Sequence, residues 1–195
     1  QNTLIGGLAG DALTDADYNV AVGLNALSTD TLGSRNTAVG TNALATQNFT
    51  TATDAYNVAV GTNAGISVTT GVNNVLIGGL AGDALTDADY NTAIGYSALN
   101  STTTGEINTA VGGLAMETNT TGGSNVAVGD QTLYANTTGG NNTSVGQGAM
   151  VANTTGSENT SIGLNSLASN TTADYNTAVG RSSMYANTTG TLNTA

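Results

Sequence analysis

The side chains best suited to chemistry are six aspartates in two matched sets, Asp11, Asp15, Asp17 and Asp83, Asp87, Asp89. Carboxylates this close are calcium ligands by type, and calcium takes six to eight oxygens. Three carboxylates plus nearby carbonyls approach that number. The competing reading is a solvated turn whose charge confers solubility. The two sets lie four repeats apart, so their charges do not stack. No other group resembles a reactive centre. His, Lys and Cys are absent, so no nucleophile pairs with an activating base, and the chain is not expected to be an enzyme. Ile5-Gly6-Gly7-Leu8-Ala9-Gly10 imitates a phosphate loop but lacks the Lys and the following helix. Asn-Thr-Thr at Asn119, Asn136, Asn153, Asn170 and Asn187 matches glycosylation acceptors, as a composition rich in both residues would produce. No cofactor is expected, and no resident metal.

What positions these residues is a repeat. A string of the form Asn-(Thr/Val)-x-(Val/Ile)-Gly starts at 2, 19, 36, 57, 74, 91, 108, 125, 142, 159, 176 and 193. The spacing is 17 residues throughout, except for one unit of 21, residues 36–56. Fixed self-similarity at a short period means one supersecondary unit stacked many times, with no single globular core. The whole chain, 1–195, reads as one repeat array of eleven complete coils and as a segment of a longer one. Residues 4–19 recur unchanged at 76–91, as duplication of a block of coils would produce.

Numbering each unit from its Asn gives every position a meaning. Position 1 is Asn19, Asn36, Asn57, Asn91, Asn108, Asn125, Asn142, Asn159 and Asn176, among others. Stacking at about 4.8 Å would turn these into an amide ladder, although Asn also suits a turn at a coil corner, and the two readings are compatible. Position 4 is always Val or Ile: Val22, Val39, Val60, Ile94, Val111, Val128, Val145, Ile162 and Val179. Positions 2 and 4 share one side of a strand and are β-branched, which predicts that position 4 is the most buried class. Position 3 is small, mostly Ala, which predicts close approach of another chain on that side. Position 5 is invariably Gly: Gly23, Gly40, Gly61, Gly95, Gly112, Gly129, Gly146, Gly163 and Gly180. Position 15 is Gly in most units but Ala16, Ala88 and Ala173 in three, so only position 5 demands positive φ or backbone contact. Positions 8 and 9 read as a second short strand or bend, and positions 10–17 as an exposed return turn. All fifteen charged residues fall at position 6, at positions 10–17, or in the four-residue insertion of the long unit. That insertion carries the only Phe, Phe49, and reads as a surface bulge.

The charge balance excludes partners. Thirteen acids against Arg35 and Arg181 give a net charge of −11, which argues against nucleic acid and anionic lipid. No apolar run is long enough for a membrane-spanning helix, and any export leader is expected outside this chain. The fold expected is an all-β parallel solenoid, or β-roll. A coil this thin orders 17 residues around a few modest apolar side chains, so burial against identical chains is expected to supplement it.

Laid out as Asn-Thr-Ala-Val-Gly-x-x-Ala-Leu-x-x-Asn-Thr-Thr-Gly-x-x, the unit resembles two related groups. One is the head repeats of trimeric autotransporter adhesins. The other, similar in both spacing and turn to Asn125–Asn141 and Asn142–Glu158, is the Asn-Thr-Ala-Val-Gly repeats of phage-type tail-fibre and secreted bacterial fibre proteins. The resemblance covers the chain and implies a fibrous homotrimer, extracellular, on a cell surface or virion. It makes a fibre shaft or stalk supporting attachment the leading expectation, with receptor contact supplied by terminal domains beyond this segment. A self-assembling extracellular filament subunit is the alternative. An ice-binding solenoid ranks third, because the paired turn threonines are adjacent in sequence and point to opposite sides.

Overall fold

The computed structural model describes all residues, 1–195. It is an all-β parallel solenoid with no helix. Its strands are β1 (Thr3–Ile5), β2 (Val20–Val22), β3 (Gly33–Ser34), β4 (Thr37–Val39), β5 (Thr53–Asp54) and β6 (Val58–Val60). These are followed by β7 (Val75–Ile77), β8 (Thr92–Ile94), β9 (Thr109–Val111), β10 (Val126–Val128), β11 (Thr143–Val145), β12 (Thr160–Ile162) and β13 (Thr177–Val179). Eleven of them form one parallel sheet in chain order, with β3 and β5 pairing separately. Every pair in the long sheet joins like positions, as in Val126↔Thr143 and Val128↔Val145. Ten spacings of about 4.8 Å make the sheet about 48 Å long.

Three positions in most coils hold left-handed residues, and these make the corners. They are position 7 (Asn42, φ 58°), position 9 (Leu133, φ 53°) and position 17 (Tyr90, φ 58°). A left-handed Leu costs about 1–2 kcal/mol, which the closed coil must offset. The position-5 glycines are more constrained still, with φ between 123° and 140°. A Cβ on Gly112 would also lie 2.4 Å from the carbonyl oxygen of Gly129 in the next coil. Positions 8 and 9 are a bend, not a strand.

The strand faces are the reverse of the sequence expectation. None of Val22, Val39, Val60, Ile94, Val111, Val128, Val145, Ile162 and Val179 is buried; Val128 is 36% exposed and Val179 58%. Position 3 is the buried one, with Ala21, Ala38, Ala59, Ala93, Ala110, Ala127 and Ala178 at 0%. The cause is parity. Side chains alternate across a strand, so positions 1 and 3 share a face. Position 1 faces inward because its amide has backbone partners only there. The narrow interior then admits small side chains at position 3, and the β-branched pair at 2 and 4 is turned out. The small face therefore packs inside its own coil and is not a surface for other chains.

Much of that interior is polar, and all but two of its buried side-chain polar atoms are paired. In the Asn142 coil, Asn142 donates its backbone N–H and Nδ2 to Asn125 Oδ1 at 3.0 and 3.1 Å, and Nδ2 also to the Gly156 carbonyl at 2.9 Å. The same arrangement recurs along the stack, for example at Asn108, Asn125 and Asn159. A second ladder runs at position 12, which was expected to be exposed turn. Asn119, Asn136, Asn153 and Asn170 are fully buried and linked amide to amide at 2.8–2.9 Å. Position 15 is buried as well, for example Ala88 at 1%. Outside the strands the coils are also tied to one another, as by the Gly10 N–H to the Ala26 carbonyl at 2.9 Å and the Thr137 N–H to the Thr154 carbonyl at 2.8 Å.

Positions 3, 9 and 12 fill one shared space. Most coils carry Ala, then Leu or Met, then a polar residue, as in Ala127, Leu133 and Asn136. Two carry Leu, Gly, Leu instead: Leu4, Gly10, Leu13 and Leu76, Gly82, Leu85. A Cβ on Gly82 would lie 2.7 Å from both Leu76 and Leu85, so the large and small residues have exchanged places.

The insertion departs from a simple surface bulge. Thr50–Ala52 form an exposed tip, but Phe49 is buried at 6% over Asp30. Asp30 is the one charged residue inside the coil, against the expected segregation of charge to the surface. Its carboxylate accepts from Gln47 Nε2 at 2.7 Å and from the Gly33 N–H at 3.0 Å, while Gln47 accepts from Asn57. The same insertion leaves Asn36 Nδ2 buried without a partner, because the carbonyl fourteen residues on, which serves Asn57 and Asn142, is displaced here.

Candidate functional site

The outward face of the long sheet is the most distinctive surface of the molecule. Along each strand, position 2 (Thr or Val) and position 4 (Val or Ile) point to solvent, about 6.7 Å apart at ~3.3 Å rise per residue. Position 17 flanks them on one margin, with Tyr18, Tyr56, Tyr90 and Ile107 each at least half exposed. Position 6 flanks them on the other, with Leu24 53% and Tyr96 62% exposed. The two central columns of Thr, Val and Ile run across all eleven strands, while the margins alternate these apolar side chains with polar ones such as Asn73, Ser124 and Thr62. No charged residue falls between positions 1 and 5 in any coil, so the two central columns are uncharged from end to end.

The margins carry the charge. Arg35 occupies position 17 between two tyrosines, its guanidinium 5.0 Å from the Tyr18 ring centre and 5.7 Å from that of Tyr56. It also meets Asp54 of the insertion at 3.0 Å. The hydrogen bond that Arg35 donates to Asp54, together with the charge of that carboxylate, holds the Arg35 pKa above its ordinary value. Farther along, the Glu158 charge, aided by a hydrogen bond, raises the Tyr175 pKa; away from this face, at position 10 of the return turn, a hydrogen bond to Glu117 raises that of Tyr134.

The two aspartate sets do not converge, and no three acidic side chains gather closely enough to hold a metal ion. Asp11, Asp15 and Asp17 are all exposed, and Asp17 bonds the N-terminal amine. Asp87 accepts from Thr86 Oγ1 at 3.1 Å, while Asp89 caps the Val72 N–H at 2.7 Å. Asp83 is half-buried, and desolvation raises its pKa. Asp89 and Asp174 satisfy a backbone donor of the preceding coil, which is the local reason for an acid at position 16. The Asn-Thr-Thr acceptors are closed to glycosylation at Asn119, Asn136, Asn153 and Asn170, whose amides face the interior.

Sequence reasoning missed the threonines of position 2 because it placed them in the core. The signal that would have found them is the position-1 ladder: if Asn faces inward, parity turns positions 2 and 4 outward.

Comparison of the chain with known protein families, curated proteins and solved structures finds no match.

Proposed function

We propose that the chain is a shaft segment of an extracellular fibre or stalk, holding attachment domains away from a cell surface or virion. The observation that carries this reading is the unbroken register of the eleven-stranded sheet, each strand paired position for position with the next. Each added coil lengthens such a rod by about 4.8 Å without changing its cross-section, which is what a spacer requires. The axial amide ladders resist shear between coils. The resemblance to tail-fibre and adhesin-head repeats points the same way. A trimer of the kind that resemblance implies would use an outer surface, since position 3 is enclosed by its own coil.

Immunogold electron microscopy with an antibody against the array tests the reading. Label along filaments projecting from cells or virions is expected. Label confined to cell interiors would remove the shaft function.

A further inference from the structure

We propose that the outward face of the eleven-stranded sheet binds ice. This goes beyond the shaft reading and does not depend on it. The sequence argued against ice from the turn threonines, which do not share a face. The threonines that matter are those of position 2, which alternate with Val or Ile at position 4 and share the outer face.

Three features of that face suit a crystalline water surface. It is regular in two directions: like residues recur about every 4.8 Å along the rod, and the position-2 and position-4 columns stand about 6.7 Å apart across it, both within about a tenth of oxygen repeats in hexagonal ice. It is uncharged and methyl-covered, since Thr and Val are near-isosteres at position 2 and position 4 is always Val or Ile. Methyl groups at such spacings hold water in ordered cages. It also keeps its hydroxyls free. Position 2 is Thr in seven of the eleven coils, Thr92, Thr109, Thr143 and Thr160 among them. These hydroxyls make no hydrogen bond within the chain. At position 13, by contrast, Thr137 and Thr154 donate to the next coil's carbonyl at 3.0 Å. Free hydroxyls can anchor the ordered water to the lattice. The buried Asn ladder directly beneath keeps the strands in register, so the array is rigid before ice arrives.

A second copy of the chain is the weaker occupant. Packing two such faces would bury seven threonine hydroxyls against methyl groups, at about 1–3 kcal/mol for each one left unpaired. It would also bring together two rods that each carry −11.

The test is thermal hysteresis of the 195-residue chain against a single ice crystal. Sedimentation and circular dichroism of the same samples report assembly and folding. The wild-type chain should shape ice into facets and open a gap between melting and freezing. Thr109→Lys combined with Thr143→Lys should abolish the gap in a folded monomer. Thr138→Lys, on an exposed turn position away from the sheet face, should leave it intact. A folded monomer without hysteresis would overturn the proposal, as would a double-lysine variant as active as wild type. A wild-type oligomer dissociated by the double lysine would assign the face to copies of the chain instead. None of these outcomes bears on the shaft reading, which rests on where the antibody labels.

Discussion

Leu76→Ala removes a side chain whose methyl groups fill the space beside two glycines. A Cβ would lie 2.7 Å from it on Gly82 and 2.6 Å from it on Gly65. Leu76 is fully buried, so the loss should cost about 2–5 kcal/mol. Gly82→Leu alone forces a new side chain into Leu76 and Leu85 and should cost about 1–3 kcal/mol through overpacking. Leu85→Asn alone puts an amide into an apolar coil, at about 1–3 kcal/mol if it stays unpaired. Added independently, the three come to about 4–11 kcal/mol. Together, however, they rebuild the Ala127, Leu133, Asn136 arrangement in the Asn74 coil, and the Ala88 carbonyl is placed to receive the new amide. The triple variant should therefore lose no more than about 3 kcal/mol, the remainder being the hole beside Gly65 and the strain of a left-handed Leu in place of Gly82, where φ is 59°. Native-state hydrogen exchange in that coil is the suitable assay, because a repeat array opens locally. A triple variant as unstable as the sum of its parts would refute the claim that the three positions share one space.

Ser144 sits at position 3 with its hydroxyl buried and unpartnered, so Ser144→Ala should raise stability by about 1 kcal/mol in urea unfolding. Gly146→Ala should destabilise more than Gly156→Ala. Both meet a carbonyl of the next coil, but only Gly146 has positive φ, at 130°, which adds about 1–3 kcal/mol of strain. Asp83 titrates above its ordinary range because burial disfavours its charge. The folded state then holds the proton to higher pH than the unfolded chain, so stability should fall as pH rises from the ordinary carboxylate range through the raised value. Asp83→Asn should flatten that slope, read as melting temperature against pH.

The period, the parallel stack, the demand for Gly at position 5 and the amide ladder at position 1 all follow from residue spacing. Inside and outside did not. Alternation identifies two faces but not which one is buried, and β-branched residues ordinarily mark the buried face. Here a narrow coil leaves room for only Ala or Ser along the strand when position 9 is Leu or Met, and admits Leu4 or Leu76 only where position 9 is Gly. Asn136 reads as turn chemistry, since Asn-Thr-Thr-Gly suits a loop, yet its amide is held by Gly139 and Asn119 within the interior. The exchange of Leu76 and Gly82 for Ala and Leu was visible in the repeat, but its meaning needed the contact between them. Asp30 was legible only as a charge in a turn. The Gln47 partner that permits its burial lies one coil on, beside the inserted residues.

The central claim is that positions 1 and 3 face the interior while 2 and 4 face solvent. Single cysteines test it cleanly, because the chain has none of its own. Val128→Cys and Ala127→Cys are neighbours on β10, and the second replaces a residue whose site accepts Ser in sister coils. Thiol labelling of the native protein should modify Cys at 128 at the rate of an exposed thiol. Cys at 127 should react only as fast as the coil opens. Rapid labelling at 127 with protection at 128 would contradict the account and return the β-branched face to the core.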